Sequence, residues 1–273
     1  MKNILNTILL FSLILSITAC EEVIQLDVEQ AAPVYIFEGL ITNQFKQHYI
    51  KIGKSVTFYE TGGNGKISNA LVEVTDSEGN TWSFKEQEPG LYLSEEEFAG
   101  KIGRTYKMKV EVDSRTFTAE DHLYYVEPID TLVAFIDEEE RADPSVEGEY
   151  WDFLTFLIEP QETEDYYLAN FFRNSERLDF AGEEIYVFND FGISEEVNGV
   201  TSPSYFAAGD TARVEWYSLS REAYLFYTSL YENLTSDGGV FDGQPSNAST
   251  NISDGALGLF QTSAMDIKEV VME

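Results

Sequence analysis

The sequence contains a single cysteine, Cys20, among its 273 residues. A chain with one cysteine forms no internal disulfide, so its fold depends on packing and hydrogen bonds alone. Histidine is almost as rare, with only His48 and His122. Zinc sites draw on several cysteine and histidine ligands, so this composition argues against a zinc protein.

Basic residues are scarce as well. The 17 Lys+Arg residues face 49 Asp+Glu residues, which gives a formal net charge of −32. Such a chain repels a phosphate backbone, so we expect no nucleic-acid partner. Charge does not hold it to anionic lipid either, and attachment to a membrane needs another device. The 43% of apolar residues is enough for a folded core, which excludes a disordered acidic tail.

The chain also lacks an apolar run of transmembrane length at its start. The apolar stretch from Ile4 to Ile17 is shorter than the ~20 residues that a membrane-spanning helix needs. It follows Lys2 and precedes two small residues, Thr18 and Ala19, which is the layout of a secretory signal. We therefore predict that residues 1–19 are a signal peptide.

The end of this signal is more specific than a generic cleavage site. Ile17-Thr18-Ala19-Cys20 resembles a bacterial lipobox, in which the cysteine thiol is lipidated and the chain is cut just before it. Several acyl chains anchor a protein stably, whereas one chain binds only marginally. The sequence predicts that Cys20 is the lipidation site and that residues 20–32 form a lipidated tether to the membrane.

Period-two alternation of apolar and polar residues recurs through the rest of the chain and predicts a mainly all-β protein. Short strands with turn signals between them predict a β-sandwich over 33–127. The acid-rich stretch 128–149 is interpreted as a linker or long loop, and 150–273 as an aromatic-rich β domain. Helical spacing near 219–234 predicts one helix packed on that second sandwich-like domain.

Searches for catalytic and cofactor motifs yield no site residues. There is no Gly-x-Ser-x-Gly elbow and no phosphate loop, and each histidine is more typical of a structural position than of a base. The nearest calcium-like cluster, Asp237 to Asp242, is interpreted as a turn. We predict no catalytic, cofactor-binding or metal-binding residue, no cofactor, and a protein that is not an enzyme. Part of the aromatic surplus in the second half could form an exposed patch for a partner or glycan.

Several segments in order carry a resemblance to a known family. They are VYIFEGLITN (34–43), NALVEVTDSEGNTWSFKEQEPGLYLS (69–94), SLSREAYLFYTSL (218–230) and PSNASTNISDGALGLF (245–260). Together with the lipobox they resemble a Bacteroidetes lipoprotein family of unknown function, the domain of unknown function (DUF) family 4249. The first half also looks like the small immunoglobulin-like or transthyretin-like sandwich modules that precede certain transporters.

The resemblance implies an outer-membrane lipoprotein, lipid-anchored and often encoded beside a TonB-dependent transporter. It implies no activity and carries over no catalytic residue. Glu21 and Glu22, directly after the lipidated cysteine, favour display on the cell surface in this group. The leading hypothesis is an accessory binding subunit of a TonB-dependent transporter. The alternatives are a surface glycan or peptide hydrolase, and an adhesive or structural surface module.

Overall fold

The computed structural model describes residues 32–56, 65–142, 148–178, 185–191, 196–236 and 246–273. The predicted signal peptide 1–19, Cys20 and all of the predicted tether except Ala32 lie outside these ranges. The calcium-like turn at 237–242 lies outside them as well.

The first half of the chain forms most of a nine-stranded sheet. Its strand order is β17-β1-β2-β6-β5-β4-β7-β8, with β3 beside β2, and its edge strand β17 (Leu257–Ser263) comes from the second half. The alternation predicted for this half is real, since Tyr106, Met108, Val110 and Val112 of one strand all point into the core. The strands from the first half are β1 (Tyr35–Thr42), β2 (Tyr49–Lys54), β3 (Gly65–Lys66), β4 (Leu71–Asp76), β5 (Thr81–Glu88), β6 (Leu91–Ser94), β7 (Thr105–Val112) and β8 (Arg115–His122).

The second half contributes two further sheets and the helices. One sheet has the order β14-β10-β15 with β9 beside β10, and the other has the order β12-β11-β16-β18 with β13 beside β11. The remaining elements are β9 (Thr131–Ile136), α1 (Glu138–Ala142), β10 (Glu149–Ile158), β11 (Tyr166–Arg173), β12 (Glu176–Arg177), β13 (Tyr186–Asn189), β14 (Glu196–Val200), β15 (Phe206–Ala207), β16 (Thr211–Leu219), α2 (Arg221–Thr235), β17 (Leu257–Ser263) and β18 (Met265–Val271).

These two sheets face each other as a sandwich. The ring of Phe153 on β10 lies 6.2 Å from that of Phe171 on β11 and 5.9 Å from that of Phe206. All three rings are buried. The predicted fold class, mainly β with sandwich-like sheets and one packed helix, is therefore confirmed.

Strand β17 connects the two halves of the chain. It pairs in parallel with β1, with Ile36 opposite Leu257, and after Ala264 the chain continues as β18 in the sheet of the second half. One hydrophobic core accordingly includes buried residues from both halves, and Pro33–Glu273 forms a single compact unit. The division into 33–127 and 150–273 stays a prediction, and β17 from the second range completes the sheet of the first.

The described part of the acid-rich stretch 128–149 is not only a linker or loop. It contains β9, which pairs with β10, and the short helix α1. The apolar run TLVAFI lies between the acids, and Leu132 within it is buried against the sandwich. The high local charge conceals this strand in the sequence because the acids flank the apolar run.

Helix α2 begins directly after β16 and is anchored at its first turn. Ser220 is its N-cap, and the Ser220 side chain accepts a hydrogen bond of 3.1 Å from the Ala223 backbone N–H. Ala223 is the only buried residue of this helix. Neither described helix combines the length and apolarity that crossing a membrane requires.

A buried carboxylate ties this cap to the first sheet. Asp121 on β8 is 4% exposed, hydrogen-bonds the Ser220 side chain, and accepts a bond of 2.6 Å from the Thr262 backbone N–H. Burial raises the pKa of Asp121 to about 7. One side chain thus joins β8, β17 and the start of α2.

Other side chains also occupy the open edge of β17. Asn251 accepts a hydrogen bond of 3.0 Å from the Phe260 N–H and donates one of 2.7 Å to the Phe260 carbonyl. Thr250 donates to the Gly258 carbonyl at 2.7 Å. These bonds replace a strand ladder on that side, so the edge is capped.

The parallel pairing of β1 with β17 requires a glycine at position 258. Its φ is +103°, and a Cβ built there would lie 1.8 Å from the Phe37 carbonyl oxygen. No rotamer choice relieves this clash because the obstructing atom is backbone.

We expect Gly258→Ala to lower the free energy of unfolding by about 4 kcal/mol or more, since it adds a backbone clash to an unfavourable φ. Gly79→Ala is the matched control, because Gly79 has φ +88° and no atom lies within 4 Å of the position that the added methyl group would take. The control should cost only about 1–2 kcal/mol. Chemical denaturation measures both, and equal losses would contradict the close approach.

We expect Asp121→Asn to flatten the pH dependence of stability. Unfolded Asp121 loses its proton near pH 4, whereas the folded group keeps it until its pKa of about 7. The folded state therefore binds more protons in between, and stability from this group is lost as pH rises from 4 to 7. Relative to wild type, the variant should gain on the order of 1–3 kcal/mol across that interval.

Denaturation curves at several pH values check this difference. Glu120→Gln is the control, because Glu120 is the exposed neighbour on the same strand. Variant and wild-type stabilities that run parallel from pH 4 to 8 would show that Asp121 is ionised in the folded state.

Candidate functional site

A groove of about 440 Å³ lies between helix α2 and the strands beneath it. We call it the α2 groove. Its wall on the helix side is apolar and consists of Phe226, Tyr227, Leu230 and Leu234. These side chains are only partly buried, and Leu234 is 43% exposed. Phe226 and Tyr227 therefore line the groove and also pack against a buried cluster that includes Leu168.

The other walls come from both halves of the chain. The β1, β2 and β17 side contributes Glu38, Leu40, Tyr49, Leu259 and Gln261. The outer face of the β11/β16 sheet contributes Leu168, Asn170 and Tyr217. Alternation on a strand explains this placement, because Tyr217 faces the groove while its neighbour Trp216 packs against Tyr167 in the sandwich core. The groove is therefore a product of the β1–β17 connection between the halves.

Three tyrosine hydroxyls in the groove each donate to an acceptor of the protein. Tyr49 donates to the Glu38 carboxylate at 2.9 Å. Tyr217 donates to the Glu215 carboxylate at 2.8 Å, and Tyr227 donates to the side-chain oxygen of Gln261 at 2.6 Å. Each hydroxyl proton is therefore committed to the protein, and the oxygen keeps acceptor capacity only.

Burial raises the pKa of all three hydroxyls far above the ordinary value. Glu38 adds to this effect at Tyr49 and Tyr227, and Glu215 adds to it at Tyr217. The tyrosines therefore remain protonated and uncharged at any physiological pH. They act as hydrogen-bonding aromatic walls and not as bases.

Asn170 also lies at the groove wall. Its side chain hydrogen-bonds the Tyr217 hydroxyl, while its Oδ1 atom is buried with no hydrogen-bond partner in the described ranges. A buried acceptor without a partner costs about 1–3 kcal/mol. The polar character of this site is thus dominated by oxygen atoms that accept hydrogen bonds.

Two charged residues of the described ranges line the groove, one negative (Glu38) and one positive (Arg177). Glu38 is exposed and also accepts a hydrogen bond of 2.9 Å from the Lys51 ammonium group, which lies outside the groove lining. Arg177 on β12 lines the groove and is exposed. An ion pair of exposed residues such as Glu38 and Lys51 is worth little, so it leaves Glu38 available to another cation.

A separate cluster of acids lies outside the groove lining. Oxygen atoms of Glu159, Asp165 and Asp190 lie within 4.8 Å of one another. Glu159 is 1% exposed and accepts a hydrogen bond of 3.0 Å from the Tyr167 hydroxyl. Burial, reinforced by Asp165 and Asp190, raises the pKa of Glu159 to about 7. Oxygen ligands of this kind suit a hard cation, but exposed acids often cluster without one.

The two histidines hold local structure. His48 is buried and bonds backbone groups with both ring nitrogens, one to the Phe98 carbonyl at 2.9 Å and one to the Thr42 N–H at 3.4 Å. Burial lowers the pKa of His48 to about 4, so it is neutral. His122 bonds the Thr105 hydroxyl at 3.0 Å. Neither histidine lies in the groove.

Sequence reasoning missed the groove residues. The predicted lipidation site, Cys20, lies outside the described residues, and no other site residue was predicted. The aromatic surplus of the second half included Tyr217, but it did not separate Tyr217 from core rings such as Trp216. Glu38 and Tyr49 carry no local signal, because they become neighbours only through the pairing of β1 with β2.

Comparisons with known proteins give a family but no activity. No curated protein matches the chain. Among solved structures, a two fibronectin type-III domain segment from chicken tenascin is similar at 12% identity and TM-score 0.20, over 70% of this chain and 89% of that one. A DUF4785 family protein from Legionella pneumophila is similar at 6% identity and TM-score 0.22, over 67% of this chain and 52% of that one. These TM-scores are too low to support any argument about this chain.

The family model is the informative match. The model described as "Domain of unknown function (DUF4249)" covers residues 21–269, which is nearly the whole chain after the predicted signal peptide. The chain therefore belongs to the DUF4249 family.

Proposed function

We propose that this protein is a lipid-anchored lipoprotein of the outer membrane that binds a cargo in the α2 groove and serves as an accessory binding subunit of a TonB-dependent transporter. The observation that carries the binding role is the groove itself. It is about 440 Å³ in volume, combines apolar walls with oriented hydrogen-bonding groups, and draws on both halves of the chain. Ligand sites typically have these properties.

The anchor is supported by the lipobox at Ile17–Cys20 and by the position of the groove along the chain. Ile36 lines the groove only a few residues after the tether ends at Ala32. A tether over 20–32 spans at most about 45 Å when fully extended. A cargo held in the groove would therefore stay close to a transporter in the same membrane. Display on the cell surface is favoured by Glu21 and Glu22.

The two alternatives have less support. A glycan hydrolase needs a pair of suitably spaced carboxylates at a substrate site, and a peptide hydrolase can instead use a catalytic triad. Glu159, Asp165 and Asp190 come together, but outside the groove lining. An adhesive module needs an open edge strand. The edge of β17 is instead capped by Thr250, Asn251 and Asp121.

We expect Cys20→Ser to abolish membrane association and metabolic labelling with a fatty-acid analogue, because the only thiol of the chain is removed. Cell fractionation and in-gel detection of the label measure this. Glu21→Gln is the control and should keep both properties. Unchanged membrane fractionation of the Cys20→Ser variant would rule out the anchor.

We expect a TonB-dependent transporter to co-purify with the tagged chain from detergent-solubilised outer membrane at near-stoichiometric amounts. Quantitative mass spectrometry at native expression levels measures the ratio, with an unrelated tagged lipoprotein as the control for background. If no transporter is enriched over that background, the accessory role is wrong.

A further inference from the structure

We propose that the α2 groove selects a basic side chain of a peptide, that is, an ammonium or guanidinium group on an apolar stem. This inference rests on the proposed function, in which the groove binds a cargo, and it names the chemical class of that cargo.

The tyrosine hydroxyl groups of the groove act as hydrogen-bond donors toward the protein itself. The protons of Tyr49, Tyr217 and Tyr227 are already donated to Glu38, Glu215 and Gln261. The Tyr217 oxygen already accepts a hydrogen bond from Asn170, so the acceptors left for a ligand are the lone pairs of the Tyr49 and Tyr227 hydroxyls and the Glu38 carboxylate. A ligand satisfies this set best when it brings donors and no acceptors, which describes an ammonium or guanidinium group.

The negative charge of the chain and of Glu38 in the groove favours a cationic ligand. The whole chain has a formal net charge of −32, so its field concentrates cations around it. Within the groove, Glu38 is an exposed carboxylate whose one basic partner, Lys51, lies outside the lining. Arg177 is the one basic residue among the described lining residues, and it is exposed on β12. The positive charge of Arg177 repels a cationic ligand. Removing that charge should therefore strengthen binding of the ligand, which tests the proposal directly.

The volume and the apolar walls of the groove suit a long aliphatic side chain. Leu40, Phe226, Leu230 and Leu259 line the groove and provide contacts for an aliphatic stem. The Tyr227 ring carries a negative π face that attracts a cation within about 6 Å, whereas the Tyr49 ring already has the Lys51 ammonium group 5.0 Å from its centroid. A volume of about 440 Å³ accommodates a long side chain together with adjoining peptide backbone. An apolar groove with acceptors at its polar positions therefore matches an amphipathic cation.

Three short capped peptides test this inference. They are identical except for a central lysine, norleucine or glutamate, so that norleucine keeps the apolar stem and removes the ammonium group. Binding is measured by fluorescence anisotropy to the full chain carrying Cys20→Ser at physiological salt. We expect the lysine peptide to bind about tenfold more tightly than the norleucine peptide, and the glutamate peptide to bind most weakly.

Variants of opposite sign locate the effect in the groove. Glu38→Gln should remove most of the preference for lysine over norleucine, whereas Arg177→Gln should increase it. Glu269→Gln is the matched control, because it removes one exposed acid on β18 outside the lining and should change nothing. Leu230→Trp should block all binding by filling the groove, while Leu225→Trp, at an exposed position of the same helix outside the lining, should not.

Each other outcome overturns the inference. Equal binding of lysine and norleucine peptides would show an apolar site without charge selection, and the proposed binding function would survive. If Glu38→Gln and Leu230→Trp leave the affinity for the lysine peptide unchanged, the peptide is attracted only to the acidic surface of the protein and not to the groove. If no peptide binds, the groove does not take basic peptides, and transporter co-purification still decides the proposed function separately.

Discussion

The parallel pairing of β1 with β17 is the interaction on which the rest of this structure depends. It joins the first described strand to one near the end of the chain, with Phe37 opposite Gly258 and Gly39 opposite Phe260. Closing so long a loop costs conformational entropy, although the cost grows only slowly with loop length. Burial of Phe37 and Phe260 and a full ladder of hydrogen bonds offset that cost. The absence of a side chain at Gly258 permits the approach of the two backbones.

Because β17 runs directly into β18, the same pairing sets the relation between the sheets. Strand β18 pairs with β16, so the sheet of the second half is held next to the nine-stranded sheet by a continuous stretch of backbone. The outer face of β11 and β16 then lies opposite β1 and β2 across the groove. Without this crossing strand, the two faces that form the groove would have no reason to meet.

Helix α2 completes the groove because its apolar side chains there are only partly buried. Its first turn is held by the Ser220 cap, the buried Asp121 and the fully buried Ala223. An amphipathic helix usually buries its whole apolar stripe against a sheet. Here Phe226 and Leu230 remain partly exposed, so the helix supplies an apolar wall. The acidic character of the chain and the direction of the tyrosine hydrogen bonds then give that wall a preference for cations.

Local sequence patterns predict much of the secondary structure, and they also predict where the protein is located. Alternation identified β7, helical spacing identified α2, and the apolar run before Cys20 predicted a signal and an anchor. These features depend on neighbouring residues, so a single sequence contains them in full. The strand Thr131–Ile136 was not predicted, because its short apolar run lies between acidic residues that made the whole segment resemble a loop.

The way the halves join and the place of the groove depend on contacts between residues that are far apart in the sequence. Glu38, Tyr49, Tyr217 and Tyr227 are distant in sequence and are brought together by the β1–β2 and β1–β17 pairings and by the placement of α2. Strand pairing of this kind is governed by register and packing across the whole chain, and no local pattern encodes it. The groove therefore exists only in the folded chain, where β17 and β18 connect the two sheets that line it.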